Sequence, residues 1–279
     1  MTDSSTFTAH NGFTLPVQGL GTYNLRGEAG ADSVRQGIEL GYRLIDTAFN
    51  YENEGAVGWG VAGAAVDAAE LIITTKLAGR HHAAERARTA LEESRFRLGV
   101  DQIDLVLIHW PNPSTGLYVE AWQALIDARD RGLVRQIGVS NFLPEHLERI
   151  EQATGVRPVV NQIELHPHFP QQEALAYHRE QGILTEAWSP IGRARDVLDE
   201  QTIIDIATAH GATPVQTVLA WHRSRGVVAI PKAADPAHQS QNLAANDIVL
   251  TSEEVERITA LGRADGRLFG ADPRTHEEQ

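Results

Sequence analysis

Asp46, Tyr51, Lys76 and His109 are residues of the types a proton-transfer site needs. A phenol titrates near about pH 10, too high for easy donation at neutrality. An ammonium beside it favours the phenolate and should lower that value. Asp46 can hold Lys76 charged and aimed, and His109 can donate to a carbonyl oxygen and position it. The set would be a general acid directed at a carbonyl. Taken alone, Asp46 reads equally well as a capping carboxylate and Tyr51 as a surface residue on a loop. It is the recurrence of such groups along the chain that argues for a site.

These residues fall at the ends of apolar runs. The runs start at Val17, Leu44, Leu71, Ile103, Val134, Val159, Ile183 and Val227, and are rich in Val, Ile and Leu on both parities, as strands buried on both faces should be. The run from Leu44 ends on Asp46, that from Leu71 on Lys76, and that from Ile103 on His109, with Trp110 next. Later runs end on Ser140-Asn141, carry Asn161, Gln162 and Glu164, or end on Glu186-Ala187-Trp188-Ser189 and Ile230-Pro231-Lys232. Helical stripes lie between them: Ala84, Ala87, Leu91, Ser94 and Leu98; Val119, Trp122 and Ile126; Val215, Val218, Leu219 and His222. Thr213-Pro214 reads as an N-cap and first turn, and Gly182, Gly211 and Gly226 as helix stops.

Eight strands alternating with helices predict an α/β fold, a (β/α)8 TIM barrel, with chemistry at the strands' C-terminal ends. The Asn11-Gly12 pair predicts an N-terminal β-hairpin that plugs one end before a first strand over Val17–Leu20. The spacing leaves room for extra helices after the seventh strand (200–210 and 214–225) and after the eighth (252–261). Residues 1–279 read as one domain, and the tail from Gly262 as a loop over one end, or partly mobile.

A formal net charge of -13 repels phosphate backbones, so nucleic acid is not an expected partner. No cysteine is present, which removes disulfide and thiolate chemistry. The opening residues lack a signal-peptide pattern, and no apolar run approaches membrane-spanning length. A cytoplasmic monomer acting on a small molecule is the expectation. His166-Pro167-His168 has metal-like spacing, but Lys76 and Pro167 argue against a metal there. His81-His82 reads as a solvated loop, Glu277-Glu278 as a solvated terminus, and Trp59, Trp122 and Trp221 as core. A Schiff-base lyase or aldolase using Lys76, a metal-dependent hydrolase and a non-catalytic cofactor-binding subunit remain alternatives on the residues alone.

The segments GYRLIDTAFNYENE (41–54), TTKL (74–77), LIHWP (107–111), GVSNF (138–142), NQIELHP (161–167) and IPK (230–232) resemble the aldo-keto reductase family, in order along the chain, most of all its bacterial branch of 2,5-diketo-D-gluconate reductases. The resemblance implies an NAD(P)H-dependent oxidoreductase that uses no metal, with Asp46, Tyr51, Lys76 and His109 as its tetrad and Tyr51 as proton donor. It places Ser140, Asn141 and Gln162 on the nicotinamide carboxamide and Trp188, where many members have tyrosine, on the ring. The cofactor set continues through Ser189, Ile191, Lys232, Ala233, His238, Gln241 and Asn242. The family commonly has serine after the lysine and arginine six positions beyond it. Here Ala233 and His238 stand in those places, with Asp235 between, so NADPH is expected and NADH is a serious alternative. Tyr23, Phe49, Asn50, Trp110 and Asn112 are the expected substrate contacts. A short segment from Trp110 to Val119 suggests an open pocket for small or polar carbonyls.

Overall fold

A computed structural model describes residues 5–194 and 196–278. The stretch read for a signal peptide therefore lies mostly outside it. β1 (Thr6–Thr8) and β2 (Thr14–Pro16) pair antiparallel through a turn at Gly12. Eight parallel strands follow among the described residues: β3 (Leu20–Gly21), β4 (Leu44–Asp46), β5 (Ile72–Leu77), β6 (Ile103–Ile108), β7 (Val134–Ser140), β8 (Val160–Glu164), β9 (Leu184–Trp188) and β10 (Val227–Ile230). They lie side by side in chain order, and bridges from Gln18 to Ala229 and from Gly21 to Lys232 bring β3 against β10 and close the barrel.

The predicted first strand is displaced. Val17 receives the Ala229 amide, but regular pairing starts only at Leu20. The strands draw close here: a Cβ on Gly19 would sit 2.8 Å from Ile230 and Leu44 side-chain atoms. That is closer than side-chain packing allows, so only glycine serves.

Helices cover the outside: α1 (Gly27–Leu40), α2 (Glu54–Ala62), α3 (Ala84–Leu98), α4 (Tyr118–Asp130), α5 (Pro144–Thr154), α6 (Gln172–Gln181), α7 (Gln201–Ala209), α8 (Pro214–Ser224), α9 (Pro236–Leu243) and α10 (Ser252–Thr259). α7 and α8 both follow β9, and α9 and α10 both follow β10, which are the extra helices the spacing required. The cap of α8 forms as read: the Thr213 hydroxyl accepts the Gln216 amide N–H and the Gln216 side chain accepts the Thr213 N–H.

Two apolar layers hold the barrel. Leu44, Leu105, Leu107, Val160, Leu184, Val228 and Ile230 fill its interior, and Phe13 and Leu15 of the hairpin join that cluster, stoppering one end. A second layer packs strands on helices around Trp122, Leu125, Val106 and Ile108. Trp122 and Trp221 are fully buried as read, but Trp59 is 82% exposed on α2. The opposite faces of that helix carry the close contacts, through Gly58 against Leu98 and Gly60 against Ala31. No helix among the described residues is long and apolar enough to cross a membrane.

Candidate active site

The barrel register places an acid and an amine on neighbouring strands. Asp46 ends β4 and Lys76 lies one residue before the end of β5, both nearly inaccessible to solvent. The Lys76 ammonium donates to Asp46 Oδ1 at 2.7 Å, Asp46 Oδ2 at 2.8 Å and the Thr47 carbonyl at 2.9 Å. An amine in such a place is tolerated only when paired. Burial works to strip its proton, but Asp46, by charge and hydrogen bond, together with the nearby Tyr51 and Glu186, holds Lys76 above its ordinary pKa.

Tyr51 reaches this pair from a short 3-10 turn, Phe49–Tyr51, rather than from an irregular loop. Asn53 fixes the turn. Its amide donates to the Thr22 and Leu25 carbonyls at 2.8 and 2.9 Å, and its oxygen accepts from Thr47 Oγ1 at 2.7 Å. Lys76 Nζ lies 5.1 Å from the centre of the Tyr51 ring. The net effect on the phenol is opposite to expectation. Burial raises its pKa, the Lys76 charge and hydrogen bond lower it, and the Asp46 and Glu278 carboxylates raise it again. The ammonium therefore offsets the enclosure rather than overcoming it, and the phenol keeps its proton until an acceptor arrives.

His109 follows β6, its ring 6.0 Å from that of Tyr51 and edge-on to it. Its Nδ1 lies 2.6 Å from Glu278 Oε1, off the axis of the ring N–H, so the contact is a close charge approach rather than a linear hydrogen bond. Glu278 was expected to be solvated. Its side chain is only 11% exposed, because the tail runs back across the strand ends. Asn50 Nδ2 and the Gly79 N–H donate to its carboxylate at 2.6 and 2.9 Å, and Asn112 pairs with its backbone N–H and C=O at 3.0 and 2.7 Å. Burial acts to raise the Glu278 pKa, but His109 and these donors hold it below the usual range.

Behind the tetrad runs a buried polar chain. Gln162 Nε2 lies 2.8 Å from both Asp46 Oδ2 and Glu186 Oε2. Both neighbours are carboxyls, so the amide nitrogen must face them, which leaves Gln162 Oε1 free to accept. Burial, and then the repulsion of Asp46, push Glu186 up to about 8, so it is largely protonated at neutrality. Sequence reading noted Glu186 without giving it a task. The available signal was a carboxylate in the middle of a short strand run, Leu184–Trp188. Asn141, at φ 61, donates to the His109 carbonyl and to Ser140 Oγ, both at 3.0 Å, and accepts from Trp188 Nε1 at 2.8 Å. The Trp188 indole is thus tethered by a donor in its own ring. Phe269 of the tail lies nearly parallel to it, 6.0 Å away, and the Arg193 guanidinium sits 4.9 Å from the Phe269 ring.

A cavity of about 600 Å³ opens over these groups. Tyr23, Asp46, Tyr51, His109, Trp110, Asn141, Gln162, Trp188, Ser189, Ile191 and Lys232 line it. Phe49, Asn50 and Asn112 are elsewhere: Phe49 packs among His81, Arg80 and Arg97, and the two asparagines hold Glu278. Ser140 is buried, its Oγ donating to the Gln162 carbonyl at 2.8 Å. Ala233 is buried, and Lys232, His238 and Gln241 are exposed near the start and face of α9. Asn242 is buried against Tyr42. Asp235 turns inward to cap α9, accepting the Ala237 N–H at 2.8 Å.

His82, expected in a solvated loop, is buried and pushed down to about 4 by that burial. His166 and His168 are engaged separately, by Glu164 at 3.2 Å and Glu200 at 2.6 Å. No group of three or more potential ligand side chains converges among the described residues.

The family model described as "Aldo/keto reductase family" matches residues 19–263. The chain belongs to the aldo/keto reductase family. It is 48% identical over 278 residues to 2,5-diketo-D-gluconic acid reductase B of Corynebacterium sp. (strain SHS752001), covering all of both chains. It is 40% identical over 274 residues to methylglyoxal reductase DkgA of Escherichia coli (strain K12), covering 98% of each. A crystal structure of a Gox0644 variant in complex with NADPH superimposes with a TM-score of 0.92, at 43% identity and 98% coverage of each chain. As an aldo/keto reductase, the chain is an oxidoreductase.

The site suits a nicotinamide. Gln162 Oε1 is an unclaimed acceptor beside the Trp188 ring, and amide and ring are what a carboxamide-bearing heterocycle requires. Removal of the Trp188 ring by Trp188→Ala should weaken NADPH binding about tenfold or more. Fluorescence titration of both proteins measures it; equal affinities would take Trp188 out of the nucleotide seat.

Proposed function

We propose that this aldo/keto reductase reduces small or polar aldehydes and ketones, α-dicarbonyls and keto-sugars among them, with NADPH. The observation that carries this reading is Lys76 Nζ buried against the Asp46 carboxylate and the Tyr51 ring, the two of which line the cavity. The nicotinamide, when bound, supplies the hydride that adds to the carbonyl carbon. Negative charge then grows on the substrate oxygen. Tyr51 donates its proton to that oxygen, and Lys76 stabilises the phenolate left behind. His109 orients the oxygen from the other side. Ser140, Asn141, Gln162 and Trp188 hold the nicotinamide end, with Ser189, Ile191, Lys232, Ala233, His238, Gln241 and Asn242 along the rest of the nucleotide.

Tyr23 and Trp110 line the cavity mouth and shape the substrate space. The relatives named for diketogluconate and methylglyoxal support substrates of this polar class. Lys76 is a poor candidate for Schiff-base chemistry, since Asp46 keeps it charged and its lone pair occupied.

The adenosine end sets the cofactor preference. His238 is exposed where a guanidinium would clasp a 2′-phosphate, and a neutral imidazole is a weaker partner. Asp235 caps α9, placing a carboxylate at the helix start that would otherwise draw an anion. The ratio of NADPH to NADH efficiency should therefore be smaller than in a relative with serine and arginine at positions 233 and 238. Steady-state kinetics with both cofactors across aldehydes, α-dicarbonyls and keto-sugars tests both points. A thousandfold NADPH preference would refute the cofactor argument, and no turnover in the whole screen would refute the function.

A further inference from the structure

The tail presents a carboxylate to the catalytic histidine. Glu278 enters between the strand ends where Gly79 leaves room: a Cβ there would fall 2.2 Å from Asn112 Nδ2 and 2.8 Å from the Glu278 carbonyl. Asn112 reads the Glu278 backbone on both edges, which fixes the residue in place. Its side chain is then committed to three partners, Asn50, the Gly79 N–H and His109. Glu277, one residue earlier, faces outward and accepts the Ser114 N–H at 2.7 Å. The arrangement thus separates an anchoring carboxylate from an inward one.

An anion 2.6 Å from Nδ1, even off the ring axis, favours a hydrogen on that nitrogen over a lone pair. This sets the ring's orientation and leaves the Nε2 edge for the cavity that His109 lines. When the ring carries its second hydrogen, Glu278 is the counter-ion of a donor facing the substrate oxygen. We infer that Glu278 is a positioning residue for His109, a tail-borne carboxylate that completes an acid–imidazole pair at the barrel mouth. The inference rests on the carbonyl-reductase reading above. Glu278 touches neither substrate nor cofactor; it acts through the ring it holds.

A double-mutant cycle tests this with the full chain and NADPH as cofactor. Glu278→Gln keeps the side chain's size and one acceptor oxygen, for Asn50 or the Gly79 N–H but not both, and removes the charge. It should lower kcat with methylglyoxal about tenfold, the size expected for one lost charge-assisted contact, and leave NADPH affinity within about twofold. In a His109→Gln background the same change should have no further effect. Glu277→Gln should behave as the parent. Equal losses from Glu278→Gln in both backgrounds would overturn the proposal, since they would show a role of the tail independent of His109. Parental kcat for Glu278→Gln would overturn it as well. An inactive parent protein would instead strike the function on which the proposal stands, so the two failures are distinguishable.

Discussion

Tyr51→Phe should reduce kcat by about 10³-fold or more while NADPH still binds, because the substitution removes one oxygen and nothing else. The ring would keep its edge contacts with Tyr23 and His109 and its place over Lys76. What disappears is the hydroxyl that, among the described cavity-lining residues, sits on the ring beside the Lys76 cation and is proposed to give the proton. His109 would have to give its proton from Nε2, and among the described residues it has no cation beside it comparable to Lys76, so it is a poorer substitute for the phenol. Pre-steady-state absorbance at the reduced-nicotinamide band and a fluorescence titration separate chemistry from binding. Retention of a tenth of the parental kcat would show that another residue or water supplies the proton.

Lys76→Met should act on both rate and stability. With the ammonium gone, the phenolate loses its stabiliser, and kcat should fall by about 10²–10³-fold. The substitution also strands Asp46, which is 3% exposed and would keep only its Gln162 contact. Breaking a buried pair from one side costs about 3–5 kcal/mol, measurable by urea or guanidinium unfolding. Adding Asp46→Asn should recover much of the stability but none of the rate, since no uncompensated charge would remain. The sign of the pH effect follows from the raised Lys76 pKa. The stabilisation is fully present below the ordinary lysine value of 10.5 and is lost only as pH rises through the higher folded value. The stability gap between parent and Lys76→Met should thus stay constant from neutrality to about pH 10. A gap already closing at pH 8 would mean that Lys76 is not held charged as described.

The alternation of Val-, Ile- and Leu-rich runs with amphipathic stretches carried the barrel, because strands covered on both faces cannot hide their composition. The same logic singled out Asp46 and Lys76, since several polar groups closing such runs on one rim argue together for a site where each alone does not. What escaped was set by contacts distant in sequence. Glu278 looks like any charged tail until Gly79 and Asn112 are brought beneath it, 199 and 166 positions away. His82 sits between Arg80 and helix α3 in sequence, yet it is buried, with the tail carboxylates Glu277 and Glu278 close enough to act on its charge. Trp59 misled in the other direction: glycines at 58 and 60 let α2 press its neighbours closely, and the indole between them is turned out to solvent. Asn50 and Asn112 flank tetrad residues in sequence, yet adjacency along the chain does not fix direction, and both face the tail.

The stopper formed by Phe13 and Leu15 closes the barrel at the strands' starts. Among the described residues the cavity opens at the other end, lined by Trp188 and Gln162 and by Tyr23, which is 44% exposed. An occupant resting on Trp188 and Gln162 would have to enter before one bound nearer Tyr23, and leave after it. Phe269 lies against Trp188 and Arg193 against Phe269, so both segments border the path by which an inner occupant would leave.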